Sequence, residues 1–174
     1  CAPSDSERIF ALDSGTGEML WASALPNDAI HLLGVRGETL LASGDRLWWI
    51  NAFTGKIVGR WPEGAMGGPR GFGRGAIVGD EVYFPTRDKL YIFAADEPRQ
   101  TQEPFLLSTF GAGGGNLVSA EGILLIAGAE RIFAFSPTPP AREGIAPETT
   151  LGEKKRTTDH QQLTTNNQQL TTDN

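Results

Sequence analysis

Residues 8–21, RIFALDSGTGEMLW, contain two short runs of apolar and β-forming residues, 8–12 and 18–21. The segment DSGTG at residues 13–17 separates them. Apolar runs on either side of an Asp/Gly turn are typical of a β-hairpin. The pattern therefore predicts two antiparallel strands near the start of the chain.

The first strand of this hairpin recurs along the chain. A basic residue followed by four mostly aromatic or aliphatic residues appears as RIFAL, RLWWI, KLYIF and RIFAF, beginning at Arg8, Arg46, Lys89 and Arg131. The spacings are 38, 43 and 42 residues. A period of about forty residues that contains only strand signals is typical of β-propeller blades.

Further strand signals fill each period. They predict strands in the second unit at 31–35, 39–43, 46–52 and 56–61, in the third at 75–78, 81–86, 89–94 and 104–109, and in the fourth at 116–120, 123–128 and 131–136. Short Gly/Asp turns join them into antiparallel meanders. No run of ten or more residues has a 3.6-residue period, so no helix is predicted. The chain is thus predicted to be all-β, with two complete and two partial four-stranded blades over residues 8–137.

Composition excludes several classes of function. The net charge is −6, and no cluster of Lys and Arg lies inside the repeats, which argues against a nucleic-acid partner. A single Cys and two distant His, at 31 and 160, leave no basis for a disulfide framework or a metal centre. No apolar run reaches about 18 residues, so no transmembrane segment is predicted.

The two ends of the chain differ from the repeats. Residues 1–7 form an N-terminal segment that opens at Cys1. Three interpretations apply: a piece of a longer chain, a mature bacterial lipoprotein anchored through a lipid on Cys1, or an arbitrary boundary. The strand count favours the first, because fewer than four blades cannot close a propeller.

Residues 138–174 are predicted to be a low-complexity, disordered tail. The segments TTDHQQL, TTNNQQL and TTDN are polar, and one Leu per seven residues cannot form a coiled-coil seam. Polar repeats of low hydrophobicity cannot bury enough apolar area to fold.

Residues 11–21, ALDSGTGEMLW, match the pattern A-x-D-x-x-T-G-x-x-x-W without a gap. In this the chain resembles the PQQ-type, quinoprotein-like propeller repeat, which also occurs in the family of the outer-membrane assembly factor BamB. The resemblance implies that Asp13, Thr16 and Gly17 fix the hairpin turn while Trp21 docks over the seam between blades. The rival WD40 repeat would need Gly-His and closing Trp-Asp pairs, which are not seen.

The second unit keeps part of this motif. Asn51, Thr54 and Gly55 match, but Gly59 stands where the Trp is expected, and Trp61 follows two residues later. The third and fourth units keep the aromatic strand and lose the rest of the motif.

Three polar residues lie at or just before the inner strands of successive units: His31, Arg74 and Asn116. They are candidates for a cluster at one mouth of the central channel, where propeller ligands usually sit; a solvated rim is the alternative. The glycine-rich loops 64–75 and 111–116 lead into strands, not helices, which favours close backbone packing over a phosphate site.

The resemblance leaves two hypotheses for function. A PQQ enzyme needs a base, a Ca²⁺ ion held by carboxylate and amide oxygens, and a ring to stack on the quinone. Family dehydrogenases also carry a vicinal Cys pair, and this chain has no internal Cys. The first hypothesis is therefore a non-catalytic binding or scaffold module, BamB-like and without a cofactor, which meets a protein partner or small ligand at the propeller face in the periplasm or another exported compartment. The alternative is part of a PQQ-dependent dehydrogenase whose catalytic residues lie outside this chain, with PQQ and Ca²⁺ as cofactors.

Overall fold

A computed structural model of the chain describes residues 8–23, 28–64 and 68–136, which form thirteen β-strands in four antiparallel sheets. The N-terminal segment with Cys1 and the predicted tail lie outside the described residues, as does part of the loop 64–75. The predicted properties of these segments therefore stay predictions.

The four sheets follow one another along the chain and are called blades 1 to 4. Blade 1 comprises β1 (Ile9–Leu12) and β2 (Met19–Ser23). Blade 2 comprises β3 (Ala29–Arg36), β4 (Thr39–Gly44), β5 (Leu47–Asn51) and β6 (Ile57–Trp61). Blade 3 comprises β7 (Ala76–Val78), β8 (Glu81–Pro85), β9 (Lys89–Ala94) and β10 (Phe105–Leu106). Blade 4 comprises β11 (Asn116–Ala120), β12 (Ile123–Ala127) and β13 (Ile132–Phe135).

Each blade is a meander in which consecutive strands pair antiparallel. Blades 2 and 3 have four strands, whereas the described parts of blades 1 and 4 have two and three. The predicted all-β architecture, with two complete and two partial blades, is confirmed. The first strands of blades 2, 3 and 4 lie side by side, because β3 contacts β7 and β7 contacts β11. This end of each blade is the inner one.

The outer edge of blade 3 differs from the prediction of a strand at 104–109. Within that range only Phe105–Leu106 pair with β9, and Leu107–Phe110 form a 3₁₀ helix that ends at Gly111 with φ 66°. The short apolar run gave no periodicity that separates strand from helix. The turn places Leu107 in the core between blades 3 and 4, with 1% of its surface exposed.

No α-helix occurs within the described ranges. Among the residues that the structure describes, no helical segment has the length and apolar character needed to cross a membrane.

Three apolar layers hold neighbouring blades together, one at each seam. β5 shows how a single strand serves two of them. Its residues Leu47 and Trp49 pack in the layer shared with blade 3, while Trp48 and Ile50 pack in the layer shared with blade 1. All four side chains are at most 1% exposed. Successive side chains of a strand point to opposite faces, so blade 2 is packed on both faces by its neighbours.

Candidate functional site

The turn of the first hairpin is built around the carboxylate of Asp13. Its Oδ1 accepts the backbone N–H groups of Gly15 and Thr16, each at 2.8 Å. Thr16 Oγ1 accepts the N–H of Glu18 at 3.2 Å, and Gly17 adopts φ 77°. These hydrogen bonds favour the charged carboxylate and so hold the pKa of Asp13 below its usual value of 3.8. The bond from the Thr16 N–H has the largest effect.

The corresponding turn of blade 2 has the same design with a neutral residue. Asn51 Oδ1 accepts the backbone N–H of Thr54 at 2.9 Å and its hydroxyl at 2.9 Å. Phe53 N–H donates to the same oxygen at 3.2 Å. Gly55 then adopts φ 69°. Both turns therefore use one side-chain oxygen to accept the amide hydrogens of the loop.

Trp21 crosses the seam between blades 1 and 2. Its Nε1 donates to the backbone oxygen of Ala52 at 2.9 Å. Its indole ring lies on Gly55, where a Cβ atom would stand 2.5 Å from Trp21 Cε3. Any larger side chain at position 55 would displace the ring. The motif residues of one blade thus contact the turn of the next.

At the seam between blades 2 and 3, the earlier blade contributes the glycine and the later blade the larger residue, the reverse of Trp21 and Gly55. Gly59 pairs with Trp49 as Trp21 pairs with Ala11 in blade 1, so Gly59 occupies the motif Trp position. Pro98 of blade 3 fills the space, because a Cβ atom on Gly59 would lie 2.5 Å from Pro98 Cγ.

Trp61 takes over the apolar packing at this seam. Its ring centroid lies 4.4 Å from that of Tyr91, 5.1 Å from that of Phe93 and 5.9 Å from that of Phe84. The loss of the motif Trp in blade 2 is therefore compensated two residues later.

The three candidate channel-mouth residues lie on the adjacent inner ends of blades 2, 3 and 4, and are called the mouth cluster. His31 is on β3, Arg74 precedes β7 by two residues, and Asn116 begins β11. Arg74 N–H donates to Asn116 Oδ1 at 2.9 Å, and Leu117 N–H donates to the Arg74 carbonyl at 2.8 Å. Arg74 Nη2 donates to the Leu32 carbonyl at 3.2 Å. Arg74 thus ties together three blades.

Charge at the mouth cluster is set by one permanent cation. Arg74 is exposed, whereas His31 is half-buried. Burial, and then the positive charge of Arg74, lowers the pKa of His31 below 6.5. His31 is therefore neutral at pH 7, and Arg74 carries the positive charge of the cluster.

The glycine-rich loops allow the backbones of neighbouring blades to touch at this end. Gly73 has φ 93°, and a Cβ atom there would lie 2.2 Å from the carbonyl carbon of Gly115. These glycines set the position of Arg74 and Asn116 by close main-chain packing. In the described part of both loops, the chain leads into a strand and not into an α-helix.

The mouth cluster does not match the donor set of a calcium-bound quinone. Asn116 Oδ1 already accepts the Arg74 N–H, and the guanidinium of Arg74 would repel a divalent cation. Among the residues that the structure describes, no three His, Cys, Asp or Glu side chains come together as a metal site.

Asp28 has a structural role that sequence reasoning missed. Its Oδ2 accepts the N–H of Arg46 at 2.7 Å and its Oδ1 accepts Trp48 Nε1 at 2.9 Å. Asp28 thereby fixes the start of β3 to β5 and satisfies a buried indole N–H. An Asp just before a strand looks like any other turn residue, so the sequence contains no signal for these partners.

No protein-family model and no curated protein sequence matches the chain. Several solved structures are similar to the chain. BamB from Moraxella catarrhalis has a TM-score of 0.59 at 14% identity, over 76% of this chain and 41% of that one. A quinohemoprotein alcohol dehydrogenase from Pseudomonas putida HK5 has a TM-score of 0.51 at 15% identity, over 74% of this chain and 25% of that one. The chain thus spans less than half the length of either protein. At these identities the similarity shows the fold alone: the chain has the β-propeller fold of BamB and of this quinohemoprotein alcohol dehydrogenase.

Proposed function

We propose that the chain is a non-catalytic propeller module that binds a protein partner or small ligand at its mouth cluster. The observation that carries this proposal is the combination of contacts and exposure at Arg74. Its backbone and side chain join blades 2, 3 and 4, while its position remains exposed. A residue that both holds the inner ends together and presents a charge suits a rigid binding surface.

The chemistry of this surface favours an acidic group on the bound molecule. Arg74 supplies a permanent positive charge on a chain whose net charge is −6. A guanidinium forms its strongest hydrogen bonds with anionic oxygens such as those of carboxylates and phosphates. The neutral His31 adds a donor or acceptor on the neighbouring strand. A carboxylate-bearing peptide or small molecule therefore fits the cluster better than a cation does.

The second candidate is part of a quinoprotein dehydrogenase, favoured by the structural similarity to the Pseudomonas putida enzyme. PQQ and Ca²⁺ would then bind through residues outside the mouth cluster. Both candidates share an expected location in the periplasm or another exported compartment. That expectation follows from the family resemblance of the repeat motif.

Binding of decaglutamate to the 174-residue chain tests the first candidate. A fluorescein-labelled peptide is titrated at low ionic strength and followed by anisotropy. Arg74→Ala is expected to weaken binding about fivefold or more and to reduce its dependence on salt, because it removes the cation at the mouth.

Arg99→Ala provides the matched control. Arg99 is exposed and pairs with Glu97 in the turn beyond β9, away from the inner strands. Its loss is expected to change the affinity by less than about twofold. Equal losses for the two variants, or no saturable binding by the wild-type chain, would contradict an acidic ligand at the mouth cluster.

A further inference from the structure

Between blades 3 and 4 lies an apolar cavity of about 300 Å³ that shares no lining residue with the mouth cluster. Its walls come from the strands of both blades and from the 3₁₀ helix. Aromatic walls are supplied by Tyr83, Phe105, Phe110 and Phe135. None of the described residues that line it carries a charge at neutral pH.

The repeat explains why a cavity exists at this seam. Trp61 pairs with Leu47, and Phe105 pairs with Leu90. Both leucines directly follow the basic residue of their repeat, so Phe105 is the counterpart of Trp61. Between blades 2 and 3 the indole fills the layer. Between blades 3 and 4 a smaller phenyl ring occupies the same place and leaves space.

A few polar groups accompany the apolar walls. Gln102, Ser119 and Ser136 also line the cavity. Tyr83 is half-buried, and its hydroxyl lies 3.4 Å from Glu81 Oε2. Burial, and then the charge of Glu81, raises the pKa of Tyr83, so its hydroxyl stays neutral. These groups can form hydrogen bonds with a ligand but cannot balance a charge on it.

We propose that this interblade cavity binds a small uncharged aromatic molecule, whose ring takes the place that Trp61 fills at the preceding seam. Apolar cavities of about 150 Å³ hold a benzene ring, so this one accommodates a larger ring system. Uncharged walls exclude ions, since an unpaired buried charge is costly. The ligand carries no more than a few polar atoms, matched to Gln102, Ser119 and Ser136. This site is independent of the acidic ligand proposed for the mouth.

N-phenyl-1-naphthylamine is a suitable probe, because it is uncharged at neutral pH and its fluorescence rises in apolar surroundings. It is titrated into the 174-residue chain. Phe105→Trp places an indole in the cavity and is expected to weaken probe binding about tenfold or more. Leu106→Trp is the matched control, because Leu106 is the neighbouring residue and is 47% exposed. It is expected to change the affinity by less than about twofold.

Two further variants keep the test decisive. Ser119→Leu fills the cavity from β11 and is expected to weaken binding even if Phe105→Trp does not fold. Ile132→Lys adds a charge to an exposed apolar position on β13, with 61% of Ile132 exposed, and is expected to leave binding unchanged.

Unaltered binding in both folded cavity variants would overturn the site, as would the absence of saturable binding to the wild-type chain. Loss of binding in Ile132→Lys alone would also overturn it, by assigning the probe to the exposed surface around Ile132. Saturable binding that Phe105→Trp and Ser119→Leu weaken, and Leu106→Trp does not, supports the site.

Discussion

Trp21 of blade 1 lies directly on Gly55 of blade 2, so close that a Cβ atom at position 55 would stand 2.5 Å from the indole ring. Gly55 is the glycine of the Thr-Gly turn in its own blade, at φ 69°. One residue therefore satisfies two demands: the backbone conformation of its turn and the flat surface on which the Trp of the preceding blade rests.

Gly55→Ala is expected to destabilise the protein more than a positive φ alone explains. Gly37→Ala is the control, because Gly37 has φ 56° and a Cβ atom there would have no neighbour within 4 Å. The control reports the backbone cost, about 1–2 kcal/mol. The excess for Gly55→Ala should fall in the coupling range of about 0.5–3 kcal/mol.

A double-mutant cycle assigns that excess to Trp21. In a Trp21→Ala background, Gly55→Ala should cost no more than Gly37→Ala does, since the ring is no longer there to displace. The coupling is measured from urea titrations of the wild type, Gly55→Ala, Trp21→Ala and the double variant. Gly37→Ala is titrated beside them as the control. An excess that persists without the Trp21 ring would show that the contact is not its cause.

The packing of Pro98 against Gly59, at the seam between blades 2 and 3, gives a second prediction. Gly59→Trp restores the repeat motif in sequence but is expected to destabilise the protein, because Pro98 occupies the space that the ring needs. Overpacking costs about 1–3 kcal/mol. Pro98→Gly in the same chain should recover part of this loss. A stabilising Gly59→Trp single variant, measured by its melting temperature, would disprove this packing.

The first turn predicts a specific dependence of stability on pH. The folded pKa of Asp13 lies below its unfolded value of 3.8, so its contribution is present above pH 3.8 and is lost as the pH falls through the folded pKa. Asp13→Asn should remove this acid loss, since Asn51 holds the same turn in blade 2 without a charge.

Unfolding midpoints between pH 7 and about pH 2 measure the effect. The reverse variant, Asn51→Asp, is expected to add a similar acid-sensitive contribution to the stability of the second turn. If Asp13→Asn and the wild type lose stability in parallel over this range, the carboxylate does not stabilise the turn.

A further prediction concerns the tail. Removal of residues 141–174 is expected to leave the melting temperature unchanged, because this polar sequence lacks the apolar area to offset an ordering cost of about 1–2 kcal/mol per residue. Slow amide exchange beyond residue 141, or a lower melting temperature of the shortened chain, would show that the tail packs on the blades.

The fold could be read from the sequence because each repeat contains its own strand and turn signals. β9 occupies residues 89–94, and β11 occupies 116–120, as the repeat predicts. The packing of Pro98 on Gly59 could not be read in this way. It joins residues from different repeats, and no local pattern links a missing Trp to a Pro in the next blade.

For the mouth cluster, too, the sequence predicts where the residues lie but not which groups they bind. Register alone puts His31, Arg74 and Asn116 at the inner ends of adjacent blades. It does not reveal that Asn116 accepts the main-chain N–H of Arg74, or that the Arg74 side chain reaches Leu32. Such bonds depend on side-chain geometry and on the close packing of Gly73 against Gly115.

The proposal of a non-catalytic module is tested most directly by titrating the wild-type chain and Trp21→Ala with PQQ in the presence of Ca²⁺, alongside urea unfolding of both. Trp21 contacts Gly55 and Ala52 of the next blade, and it is half-buried, so its loss should cost about 3 kcal/mol, the lower end of the range for a Trp in a core. We predict that Trp21→Ala is destabilised by this amount and that neither chain shows saturable quinone binding. Quinone binding by the wild type that disappears in a Trp21→Ala variant of unchanged stability would contradict the proposal.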